Sequence, residues 1–143
     1  MKKTLFIIIL LFFFYNFSSN NNYKIYFDDD EPNLDLLYQV IWGEARGEGT
    51  IGQIMVLDVI KNRMKHPYFP KQLDSVLLMP KQFYVNKNLV VPKTFKTKID
   101  SLYKLKPISP FLYFVNLKGV KNPKIRKWVY KYKLYKVGNH TFF

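Results

Sequence analysis

Cysteine is absent from the 143-residue chain, and histidine occurs only at positions 66 and 140. Without cysteine there are no disulfides, no thiolate metal sites and no lipid-anchoring thiol. Two histidines do not make a multi-histidine metal site, so neither a metal nor a cofactor is expected. Acidic residues are scarce as well, at 10 Asp+Glu against 23 Lys+Arg, and beyond position 80 only Asp100 remains. Aromatic side chains, by contrast, make up 18% of the chain, which argues against charge-driven disorder. For this length one domain is expected, with a core large enough to fold without staples.

A net charge of +13 first suggests a nucleic-acid binder. The charge is unevenly distributed, however. Residues 1–80 carry 8 basic and 9 acidic side chains, whereas residues 81–143 carry 15 basic side chains and one acidic. The second half therefore reads as a cationic surface for an anionic partner, whether nucleic acid, lipid or cell-wall polymer.

The N-terminus narrows that choice. Lys2 and Lys3 precede an unbroken apolar run from Leu5 to Tyr15. A charged start and a core of this length match a secretory signal, being short of the roughly 20 residues that span a bilayer. No small-x-small cleavage site is evident around Ser18 and Ser19, so an uncleaved anchor is the alternative. Residues 1–19 are thus read as a signal peptide or membrane anchor, and 20–31 as a linker. The acidic cluster Asp28 to Glu31 is read as a solvated tether, since it lacks the glycine turn of a calcium loop.

A folded domain over 32–143 begins at Pro32, suited to a first helical turn. Leu34, Leu37, Tyr38 and Ile41 form a helical stripe that ends at Gly43. A glycine-rich turn follows, and Thr50 is the expected N-cap of a second, largely apolar helix reaching Met64. Shorter helices are expected over Leu73–Leu78 and Thr94–Leu105. Beyond Pro110 the period changes to two, predicting strands over Phe111–Val115, Trp128–Tyr132 and Leu134–Val137. Helices first and antiparallel strands later predict an α+β domain.

Glu44 is the first candidate for chemistry. It stands where an apolar helix gives way to a polar turn, and partial burial there would favour the protonated form a general acid needs. The ordinary reading is a helix-end glutamate paired with Arg46. Asp58, inside the apolar helix, requires a buried partner, for which Arg63 and Lys61 are the candidates.

Several motifs then fall in one order. Trp42-Gly43-Glu44-Ala45-Arg46-Gly47-Glu48 is followed by Gly52-Gln53, Asn62-Arg63, Phe69-Pro70 and Pro80-Lys81-Gln82-Phe83. Leu112-Tyr113-Phe114-Val115-Asn116, Trp128 and Val137-Gly138-Asn139-His140-Thr141-Phe142 complete the series. Together they resemble the SleB-type cell wall hydrolases, peptidoglycan-cleaving enzymes related to the spore-cortex-lytic ones, over about residues 33–143. The resemblance implies a lysozyme-like helical core with a small antiparallel sheet, and Glu44 as the single catalytic glutamate. It implies peptidoglycan cleavage at N-acetylmuramic acid linkages, most naturally as a lytic transglycosylase; the N-terminal reading places the protein outside the cytoplasm (periplasmic, secreted or tethered), and a monomer is expected. The alternatives are a hydrolytic muramidase and an inactive cationic wall-binding protein.

By the same resemblance Gln82, Tyr113, Asn116, Trp128 and His140 are candidate substrate contacts, with Arg46 and Glu48 supporting the site. Each contact has a structural alternative: loop bonding for Gln82 and Asn116, core packing for Tyr113 and Trp128, a turn role for His140. Two departures from the family pattern are Tyr84, where Ser or Thr is usual, and Leu117, where proline is usual. Neither is expected to touch Glu44. The basic half is assigned to anionic wall polymers or a membrane surface, with no nucleic-acid partner.

Overall fold

The computed structural model describes residues 32–143, apart from Lys87, Tyr132, Lys133 and the side chains of Ile125 and Trp128. The leader, the linker and the acidic cluster expected before Pro32 lie outside the described residues. Among those described, the order is α1 (Leu34–Ala45), α2 (Gly49–Lys65), α3 (Leu73–Leu77), α4 (Lys93–Tyr103), β1 (Phe114–Val115), α5 (Pro123–Val129), β2 (Tyr135–Val137) and β3 (His140–Phe142). No described helix is long and apolar enough to cross a membrane.

Asn33, rather than Pro32, starts α1: its side-chain oxygen accepts the Leu36 N–H at 3.0 Å, satisfying one of the orphan donors of the first turn. The helix does not stop at Gly43 but continues through Ala45, so Glu44 lies in its last turn. A glycine inside a helix costs about 1 kcal/mol relative to alanine. At Gly43 close packing favours it: a Cβ there would sit 3.1 Å from Tyr84 Cδ1, so the ring would have to give by a few tenths of an ångström.

The second helix begins at Gly49, one residue before the expected cap at Thr50, and Glu48 occupies the N-cap position without capping through its side chain. Gly49 has φ +68°, a left-handed value that reverses the chain between the two helices. Met55 to Ile60 are all buried, and α2 packs on α1, α3 and α4 as the central element.

The polar residues of α2 clamp the segment that follows α4. Buried Asp58 accepts the Ile108 and Ser109 N–H groups at 2.9 Å each and the Ser109 hydroxyl at 3.0 Å. Its hydrogen-bond partners are therefore main-chain and hydroxyl donors; neither Arg63 nor Lys61 bonds to it, although its charge favours the Lys61 ammonium as expected from sequence. Lys61 Nζ donates to Leu105 O at 2.7 Å, and Asn62 Nδ2 donates to the carbonyls of Ser109 and Phe111 at 2.7 and 3.0 Å.

The sheet has the order β1-β3-β2, antiparallel throughout, with β3 central and fully buried. Phe142 faces Phe114 on one side and Tyr135 on the other. The first strand is confined to Phe114–Val115, shorter than the expected 111–115. Residues 128–131 of the strand expected over Trp128–Tyr132 do not form one: residues up to Val129 belong to α5, and Tyr132 lies outside the described residues. Pro123 supplies a pre-set first helical residue, and Asn122 Oδ1 accepts the Lys124 N–H at 2.9 Å, a helix start that outweighs the alternation of tyrosines.

Candidate active site

The last turn of α1 presents Glu44, half-buried, to the segment after Phe83. Tyr84 donates its backbone N–H to Glu44 Oε1 at 2.7 Å. Tyr84, read from sequence as a departure from the family pattern, thus bonds Glu44 directly, contrary to the expectation that it would not touch it. Lys81 makes this approach possible by adopting φ 61°, a left-handed conformation that costs a non-glycine residue energy and recurs where a site is being shaped. Gln82 is half-buried and its N–H closes a turn onto Met79 O at 3.2 Å.

Arg46 does not pair with Glu44. Its guanidinium folds back to donate to Trp42 O at 3.3 Å and lies 5.9 Å over the Trp42 ring. Glu44 Oε2 has no hydrogen-bond partner among the described residues, leaving one oxygen anchored and the other available to a ligand.

Glu48 is held more tightly. Its Oε2 accepts the Asn139 N–H at 2.7 Å and its Oε1 accepts Asn139 Nδ2 at 3.1 Å. Burial pushes this carboxyl up, but the two Asn139 donors, with His140 and Lys118 nearby, outweigh burial and hold it below the ordinary carboxylate value. Glycines make the room: a Cβ at Gly52 would lie 2.5 Å from Glu48 Cβ, and one at Gly138 only 2.0 Å from Glu48 Oε2. Lys118 Nζ completes the group by donating to Asn139 Oδ1 at 3.5 Å.

Every other described carboxylate is also engaged. Asp35 pairs with Lys96, Asp58 holds residues 108 and 109, Asp74 accepts the Asn33 N–H, and Asp100 accepts the Tyr38 hydroxyl. That phenol is pushed up to about 12 by its bond to Asp100, by burial and by the carboxylate charge.

One organising residue was named from sequence only within the Asn62-Arg63 block and as a candidate partner for Asp58. Arg63 is 2% exposed and has no carboxylate partner among the described residues; its Nε donates to Leu112 O at 2.7 Å. Its guanidinium lies 5.2 Å from the Phe69 ring, 5.1 Å from Phe83 and 5.3 Å from Tyr113, a cation enclosed by π faces. Burial lowers it to about 10, still cationic at neutral pH. Three separate motif blocks, Phe69-Pro70, Pro80 to Phe83 and Leu112 to Asn116, therefore meet on Arg63. Buried Gln53 plays a related part at the end of α1, donating Nε2 to Ala45 O at 3.3 Å.

The remaining candidates are dispersed. Tyr113 belongs to the Arg63 cluster and stacks on Phe143 at 5.5 Å. Asn116 is exposed, and its Oδ1 accepts the Lys118 N–H at 3.0 Å. His140 is 6% exposed and packs edge-on to Phe114 at 4.9 Å, inside β3 rather than on a rim. The Trp128 side chain lies outside the described residues. An open depression between Asn62, Lys65 and residues 106–110 includes neither Glu44 nor Tyr84.

Comparison with known proteins adds to this geometry. The family model for cell wall hydrolases matches residues 47–143, beginning just after Glu44. The spore cortex-lytic enzyme of Bacillus subtilis strain 168 is 28% identical over 119 residues, 77% of this chain and 37% of that protein. That of Halalkalibacterium halodurans is 41% identical over 58 residues, covering 41% of this chain and 17% of its own. The chain thus spans less than half the length of these curated relatives. Among solved structures, the catalytic domain of the germination-specific lytic transglycosylase SleB from Bacillus anthracis matches with a TM-score of 0.61 at 25% identity. The match covers 82% of this chain and 98% of that one. The catalytic domain of the Bacillus cereus SleB protein gives a TM-score of 0.61 at 27% identity over 76% of this chain and 87% of its own.

Proposed function

Because this chain belongs to the cell wall hydrolase family, we propose that it cleaves peptidoglycan glycan strands, with Glu44 as the single general acid and base. The observation that carries this reading is the setting of Glu44. It lies half-buried in the last turn of α1, with one oxygen anchored on the Tyr84 N–H and the other open among the described residues.

Glycosidases generally use two carboxylates, one to protonate the leaving oxygen and one to activate water or attack the sugar. A single-glutamate site is suited instead to intramolecular attack. Glu44 passes its proton to the glycosidic oxygen as the bond from C1 of N-acetylmuramic acid breaks. The C6 hydroxyl of the same sugar closes on C1 and gives its proton to the Glu44 carboxylate, which restores the acid. The product is a 1,6-anhydro ring, and no water is consumed.

Action outside the cytoplasm is the matching location, supported by Lys2, Lys3 and the apolar run Leu5 to Tyr15. Lys121, Lys124, Arg126, Lys127, Lys131 and Lys136 are exposed, and we assign them to anionic wall polymers as a long-range attractor. Mass analysis of the fragments from purified peptidoglycan tests the chemistry. Ends lighter by one water are expected; reducing ends would make the enzyme a muramidase, and no fragments at all would reduce it to a wall binder.

A further inference from the structure

Tyr84 contributes more than its main-chain N–H. Its side chain is 59% exposed, in a chain where Phe83 beside it packs against the core and within the Arg63 cluster. The ring nonetheless has neighbours. It lies against the α1 backbone at Gly43, where its Cδ1 would be 3.1 Å from a Cβ, and its hydroxyl accepts Asn86 Nδ2 at 3.5 Å. Gly43 immediately precedes Glu44, so one residue both anchors the acid and holds an open aromatic face next to it.

A large aromatic held in water beside a proton donor has an apolar face to offer and a polar tip that stays solvated, a combination suited to an amphipathic ring ligand. A pyranose matches that description, since its C–H face stacks on an aromatic while its hydroxyls remain wet. Resting on the glycan-cleaving assignment of Glu44, we infer that the Tyr84 ring is a stacking platform for a sugar of the strand adjacent to the scissile bond. Tyr84 thereby sets substrate register: the side chain seats the pyranose and the backbone N–H of the same residue fixes the carboxyl that must reach its glycosidic oxygen.

Binding of peptide-free glycan strands, measured by calorimetry in a Glu44→Gln background, separates this inference from the catalytic one. Glu44→Gln/Tyr84→Ala is expected to bind about 10-fold more weakly than Glu44→Gln, and Glu44→Gln/Tyr84→Phe to match it. With Glu44 intact, Tyr84→Ala is expected to raise KM about 10-fold with kcat little changed, because stacking acts alike on ground and transition states. Equal strand affinity with and without the ring overturns the platform, as does the absence of strand binding in every variant. A wild-type protein that cuts nothing, yet loses affinity on Tyr84→Ala, would sink the catalytic reading and leave the platform standing.

Discussion

Glu48 and Asn139, separated by 91 positions, are joined by two hydrogen bonds at 2.7 and 3.1 Å. This pairing ties the start of the central helix to the β2–β3 turn, and so holds the end of the sheet against the turn that follows Glu44. Gly138 suits that pairing: its φ is +57°, and a Cβ there would lie 2.0 Å from Glu48 Oε2, so the carboxylate would have to move off its partners.

Gly138→Ala is therefore expected to destabilise the domain by about 2–3 kcal/mol in denaturant unfolding, from both strain and collision. In a Glu48→Ala background the collision is gone, and the same change should cost only about 1 kcal/mol. The Glu48 contribution also has a pH signature. Its carboxyl is held below its unfolded value, so its stabilisation is full above the unfolded carboxylate range and lost as pH falls through the folded value. Wild type and Glu48→Ala should converge in stability on acidification; a gap that persists at low pH would contradict this.

Arg63 is predicted to resist conservative replacement. Its planar guanidinium reaches Leu112 O while meeting three ring faces, a geometry a lysine ammonium does not reproduce. Arg63→Lys should cost about 2–3 kcal/mol, no less than Arg63→Met, since a buried ammonium is left short of acceptors. A lysine variant as stable as wild type by denaturant unfolding would remove Arg63 from its organising role.

These two clusters show what was and was not legible in the sequence. Apolar periodicity located the helices around Leu37, Val56, Val76 and Ile99, because burial of a helical stripe is a local pattern. The motif blocks were visible as an ordered series, but their convergence on Arg63 was not, since a cation–π cluster is assembled from segments distant in sequence. For Asp58 the need for a partner could be read, yet the donors proved to be backbone N–H groups at 108 and 109, which carry no side-chain signature. The strand expected at Trp128–Tyr132 failed for a local reason. Alternating aromatics suggested a period of two, while Asn122-Pro123, an equally local helix start, governed the result. At the candidate site the contact of Tyr84 with Glu44 ran against expectation, because it is made by a main-chain N–H, as with the Asp58 donors.

The basic surface leads to a salt-dependent prediction. Exposed charges separated from their partner by about 10 Å are largely screened at 0.1 M salt. Retention of the protein on purified sacculi should fall as salt is raised. Replacing Lys124, Arg126 and Lys127 by Glu should weaken it at low salt while leaving the stability of the domain close to wild type. Pull-downs indifferent to both changes would show that these side chains do not attract the wall.

Cleavage of purified peptidoglycan by wild type and Glu44→Gln, followed as the rate of anhydro-end formation, bears most directly on the role of Glu44. The substitution keeps an oxygen for the Tyr84 N–H but removes the proton donor, so the rate should fall by about 100-fold to 10,000-fold while thermal unfolding is unchanged. A Glu44→Gln protein that still forms those ends within tenfold of the wild-type rate would contradict the account.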